Sequence, residues 1–123
     1  MDKVGSDKDF IQELGGLYVI GTERLLDAAR QAGVRRLVHV STESVLAEGN
    51  PLVNVDEAAP YPEHPLPRYP LTKQLAERRV RAANGDGLET VVIRPRLIWG
   101  DNDTSLLPQL AESGYLKALF FRL

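Results

Sequence analysis

Residues 33–42 read Gly33-Val34-Arg35-Arg36-Leu37-Val38-His39-Val40-Ser41-Thr42, and within them Leu37-Val38-His39-Val40-Ser41 decides the fold. The run is short, β-branched and nearly continuous in apolar character, as a strand in a parallel sheet is when both faces are covered. Just upstream the apolar period becomes helical, with Leu17, Ile20, Gly21, Leu25, Ala28, Ala29 and Ala32 on one stripe. We expect a helix of about four turns there, stopped by Gly33 in the left-handed conformation. Downstream, residues 48–67 hold five of the eight prolines and cannot be regular structure throughout. Loops of that length in compact domains are usually functional, as a lid or a substrate wall. Pro67 to Pro70 opens a second helix that Leu71 to Asn84 continues, and Gly85-Asp86-Gly87 ends it. Thr90-Val91-Val92-Ile93-Arg94-Pro95 is a second strand, closed by its proline.

The order helix, strand, long loop, helix, strand requires two parallel strands joined by a helical crossover. This is α/β architecture, and specifically part of a doubly wound parallel sheet. Two strands and two main helices leave sheet edges, and part of one face, bare. The chain has 123 residues, 15 Lys+Arg against 17 Asp+Glu, and no cysteine. That excludes a second full domain, a disulfide framework, a thiolate metal site and a cysteine nucleophile. No apolar run approaches the roughly 18 residues of a membrane helix, and the first residues have no apolar core of a secretory signal, so the expected location is cytoplasmic and off the membrane. The balanced charge argues against nucleic acid as partner. Arg78, Arg79 and Arg81 lie among acidic neighbours and read as a solvated helix face.

Tyr69-Pro70-Leu71-Thr72-Lys73 puts a phenol and an ammonium four residues apart at a helix start, on one face. A free phenol titrates near pH ~10, and a neighbouring cation lowers that value, so Lys73 is expected to tune Tyr69. A hydroxyl is then needed to orient a substrate oxygen, and the end of the first strand offers Ser41, Thr42 and Ser44. Ligands of such sheets bind at the carboxyl ends of the strands, where these hydroxyls sit. His39 and His64 have no partners at metal spacing and read as structural or solvent-facing. No serine has the Gly-x-Ser-x-Gly surroundings of a hydrolase elbow.

Five stretches in order, Gly21 to Arg30, Gly33 to Thr42, Asp56-Glu57 with Pro60, Tyr69 to Lys73 with Ala76-Glu77, and Arg94 to Gly100, closely resemble the extended short-chain dehydrogenase/reductases. Within them the chain is similar to the NAD-dependent epimerase/dehydratase and 3β-hydroxysteroid dehydrogenase group, over roughly residues 10 to 110. The resemblance implies an NAD(P)-dependent oxidoreductase acting on a secondary alcohol or ketone, a steroid or similar small molecule. Tyr69 would be the acid/base. Lys73 would bind the nicotinamide ribose and depress the tyrosine. Thr42 would hydrogen-bond the substrate oxygen, and Pro95 would lie beside the nicotinamide. The cofactor would be NAD or NADP. A sugar-nucleotide epimerase or dehydratase would use the same three side chains.

Two departures stand out. Where the family reads Asn-Val-x-Gly-Thr, this chain reads Tyr18-Val19-Ile20-Gly21-Thr22. The glycine-rich phosphate turn is absent from the sequence, so the chain reads as the second half of a Rossmann-type domain over 1–123, lacking the N-terminal glycine-rich half. A non-catalytic fragment, associating with itself or with a complementing chain, is therefore the competing expectation. Trp99 reads as core, which the resemblance would place near the substrate pocket, and Ala118 to Phe121 as either a packed terminal turn or an exposed apolar segment prone to association.

Overall fold

The computed structural model describes residues 12–96, 98, 100–102, 104, 108, 109 and 112. Trp99 and Ala118 to Phe121 lie outside the described residues. The described backbone is helical from residue 12 and passes through a π-helical stretch, Gly15–Ile20, into α1, Gly21–Gln31. The wide turn has local causes. Gly15 and Gly16 have low helix propensity, the Gly21 N–H reaches back to the Gly16 carbonyl, and the Thr22 hydroxyl donates to the Tyr18 carbonyl at 2.5 Å. At its other end α1 closes as expected on Gly33, at φ +69°, with the Val34 N–H donating to the Ala29 carbonyl at 2.9 Å.

β1, Arg36–Val40, follows at once, and a 3₁₀ turn, Glu43–Leu46, comes after it. The chain then runs irregularly to Arg68, where φ is +65°, a conformation that costs a side-chain-bearing residue about 1–3 kcal/mol. The Thr72 N–H and hydroxyl both donate to the Arg68 carbonyl, at 3.0 and 3.2 Å, and hold it there. α2, Tyr69–Ala82, begins at that point with Pro70 in its first turn. Gly85, at φ +122°, turns the chain, and the Asn84 side chain accepts from the Thr90 N–H at 2.9 Å as β2, Glu89–Ile93, starts.

The two strands are parallel, with Val38 opposite Val91 and His39 opposite Val92. Alternation then decides which side is covered. Leu37, Val92 and Ala83 pack against the cluster of Leu26, Val80 and Leu88, so α1 and α2 meet one face of the sheet. Val38, Val40, Val91 and Ile93 point the other way and are 56, 51, 43 and 46% exposed. The bare face expected from two strands and two helices is present.

The phase expected for the first helix needs correction. Of its stripe only Ala29 is buried, and the residue beside it in the core is Leu26. Leu17, Ile20 and Leu25 are exposed. The helix is apolar over a wide arc, and its apolar period does not tell which edge of that arc meets α2. Leu88→Ala should accordingly cost about 2–4 kcal/mol, whereas Leu25→Ala, at a position 56% exposed, should cost under about 0.5 kcal/mol. Urea unfolding of the two variants checks this, and equal losses would contradict the assigned core.

Candidate active site

The site lies where β1 and β2 end and α2 begins. Pairing continues past the strands, with the Ser41 N–H on the Ile93 carbonyl at 2.8 Å and the Glu43 N–H on the Pro95 carbonyl at 3.4 Å. Thr42 and Pro95 are thereby brought side by side. Thr42 is half-buried. Its hydroxyl caps the 3₁₀ turn, accepting from the Ser44 N–H at 3.3 Å and donating to the Ser44 hydroxyl at 3.2 Å.

Tyr69, Lys73 and Glu77 are spaced by four along α2 and share one face. Lys73 Nζ donates to the Val40 carbonyl at 3.1 Å, which ties the helix to the strand end two residues before Thr42. The same ammonium lies 5.1 Å from the centroid of the Tyr18 ring. That ring meets Tyr69 edge to face, at a centroid separation of 5.7 Å and an interplanar angle of 85°. Burial lowers the Lys73 pKa from its ordinary value, against the opposing pull of Glu77. The Tyr69 phenol is pushed up, by burial first and by Tyr18 second. The expected depression of the tyrosine by Lys73 is thus not what this structure holds, because the ammonium is directed to Val40 and to the face of Tyr18.

Glu77 has no solvent exposure. Its carboxylate accepts from the Ser41 hydroxyl at 2.6 Å, from the Tyr61 hydroxyl at 2.6 Å and from Arg94, whose NH2 group lies 2.5 Å away. Burial pushes this carboxyl up, but the hydrogen bonds from Arg94, Ser41 and Tyr61 outweigh it and hold the group below its ordinary value. Ser41, expected among the substrate-facing hydroxyls, is therefore committed to a buried network. Tyr61, from the proline-rich loop, is also held by guanidinium groups, with Arg78, Arg81 and Arg94 at 4.4, 5.4 and 5.6 Å from its ring centroid. Those helix arginines are not merely solvated. Arg79 pairs with Glu23 of α1 at 2.9 Å as well. Sequence reasoning missed this hub, although a carboxylate on the buried face of a helix demands a cation, and Arg94 is the one that ends the second strand. His39, half-buried opposite α2, has its Nε2 enclosed without a hydrogen bond, and burial, then the Lys73 charge, lower its pKa against the pull of Glu77.

The sequence matches the 3-beta hydroxysteroid dehydrogenase/isomerase family over residues 4–123. The chain belongs to that family. It is 57% identical over 95 residues to a 4-hydroxy-2-methyl-3-oxo-4-farnesyl-3,4-dihydroquinoline-1-oxide ketoreductase of Stigmatella aurantiaca, covering 77% of this chain and 28% of the relative. It is 41% identical over 118 residues to a 3 beta-hydroxysteroid dehydrogenase/Delta 5-->4-isomerase of Mycobacterium tuberculosis, covering 93% of this chain and 32% of the relative. A sterol-4-alpha-carboxylate 3-dehydrogenase of Candida albicans is 41% identical over 99 residues, covering 80% and 28%. The chain thus spans less than a third of the length of these curated relatives. No solved structure matches it. Among the described residues no helix is long and apolar enough to cross a membrane.

Arg94→Leu leaves the Glu77 carboxylate buried with two hydroxyl donors and should cost about 3–5 kcal/mol at neutral pH. The folded protein holds Glu77 below its ordinary value of 4.5, so this contribution is complete above that pH and is lost as pH falls through the folded value. In the variant burial dominates, the carboxyl rises, and protonation relieves it. Urea midpoints of wild type and variant should converge between pH 7 and pH 4, and a constant gap would contradict the role given to the ion pair.

Proposed function

We propose that this family member carries the acid/base half of an NAD(P)-dependent oxidoreductase that interconverts a secondary alcohol and a ketone on a steroid-like or similar small molecule. The observation that carries the reading is the placement of Tyr69 and Lys73 on one face of α2 against the carboxyl ends of two parallel strands, with Lys73 bonded to the Val40 carbonyl. Tyr69 is 41% exposed, so the residue is accessible at that end of the sheet. Lys73 spends one of its three donors on Val40, which suits it to hold the ribose hydroxyls of the cofactor. The nicotinamide, when bound, supplies or accepts the hydride. Tyr69 gives its proton to the carbonyl oxygen in reduction and takes the hydroxyl proton in oxidation. Thr42, at the turn between β1 and the 3₁₀ segment, orients that oxygen through its hydroxyl, and Pro95, beside it, flanks the nicotinamide.

The remainder of the doubly wound sheet belongs to the same reading. The sequence contains no glycine-rich phosphate turn, and the exposed valine and isoleucine face of β1 and β2 is the surface that helices from another segment would cover in a parallel sheet. We assign the pyrophosphate contacts to that segment and the ribose and nicotinamide contacts to this one.

Titration of NADH and NADPH, read by energy transfer from the single tryptophan to the reduced nicotinamide, tests the reading on protein shown to be folded by circular dichroism. Saturable binding is expected, weakened about tenfold by Lys73→Ala through loss of a charged hydrogen bond, and little changed by Tyr69→Phe. Absence of binding by the folded chain would overturn the assignment of a cofactor subsite to this polypeptide.

A further inference from the structure

Tyr18 stands where the family's pattern has asparagine, and the structure gives it two partners, both in the proposed site. Its ring meets Tyr69 edge to face at 5.7 Å, and its face lies 5.1 Å from Lys73 Nζ. It is delivered there by the π-helical stretch Gly15–Ile20, a distortion that recurs at functional sites because it re-aims one side chain out of the regular helical phase. The Thr22 hydroxyl, bonded to the carbonyl of Tyr18 itself, fixes the turn at this residue.

We infer that Tyr18 is a positioning residue of this site: its ring face holds the Lys73 ammonium and its edge-to-face contact fixes the Tyr69 phenol. That these side chains form a catalytic site rests on the function proposed above, while the effect of Tyr18 on Lys73 and Tyr69 does not. An aromatic face attracts an ammonium through the ring quadrupole, and edge-to-face geometry is the favoured packing of two phenol rings. The Lys73 ammonium is thus held between the Val40 carbonyl and the face of Tyr18. The titratable and charged groups facing the pair are Tyr18 from the π-helical stretch, His39 from β1, and Glu77 from α2 itself. The upward displacement of the Tyr69 phenol agrees with this arrangement.

The test follows Lys73 and Tyr69 by NMR in protein carrying ¹³C at lysine Cε and tyrosine Cζ, with Lys73→Ala and Tyr69→Phe assigning the signals. In wild type the Lys73 ε-methylene should be displaced upfield by the Tyr18 ring, and Tyr69 should titrate above its ordinary value. Tyr18→Phe keeps the ring, so the displacement and the Lys73 titration should persist. Tyr18→Leu removes it, so the displacement should vanish and the Lys73 pKa should fall by about half a unit. A Lys73 titration unchanged in Tyr18→Leu, or a Tyr69 that titrates below its ordinary value in wild type, would overturn the inference. The wild-type measurements stand even if Tyr18→Leu fails to fold. Failure of NADH to bind would remove the proposed function and leave these readouts to decide the role of Tyr18.

Discussion

A carboxylate with no exposure to water must be paired several times over, and at Glu77 the structure answers that demand with Arg94, Ser41 and Tyr61. Each donor comes from a different segment: the end of β1, the proline-rich loop and the end of β2. The requirement to satisfy one buried charge therefore fixes three pieces of chain against one face of α2. Lys73 is one helical turn from Glu77 and Tyr69 one turn further. Their places over the strand ends follow from that anchor, and the Lys73 bond to Val40 completes it.

The apolar core lies on one side of the sheet only. Among the described residues the buried apolar side chains are Leu26, Ala29, Val45, Leu46, Ala76, Val80 and Leu88, and the cluster of Leu26, Val80 and Leu88 covers one side of a two-stranded sheet. The opposite side is apolar and open. A parallel sheet ordinarily survives by being covered on both faces, so polar cross-links at the strand ends matter more here than in a fully enclosed domain.

Much of this was legible in the residues. β1 and β2 announced themselves by the short β-branched runs Leu37 to Ser41 and Thr90 to Pro95, and α2 by Pro67 to Pro70 and the helix formers that follow, because these signals are local. The phase of α1 was not legible. An arc containing Leu17, Leu25, Leu26 and Ala29 leaves its buried edge to be chosen by α2. Nor was the direction of the Lys73 ammonium. Spacing puts it on the same face as Tyr69, but its partners are a carbonyl of β1 and a ring from the π-helical stretch, both set by tertiary packing. Ser41 looked like a ligand-facing hydroxyl for the same reason, since nothing adjacent to it in sequence shows that Glu77 lies opposite. Tyr61 carried no periodic signal at all, being embedded among prolines.

The central claim is that the Glu77 network holds the strand ends, the proline-rich loop and the start of α2 as one unit. Amide hydrogen exchange of Glu77→Gln against wild type tests it most directly, because it reads each segment separately. The account predicts that protection falls together in residues 41–46, in the loop around Tyr61 and in the first two turns of α2, while the core around Leu26 and Leu88 exchanges nearly as before. Faster exchange confined to α2, or spread evenly over every described element, would contradict it.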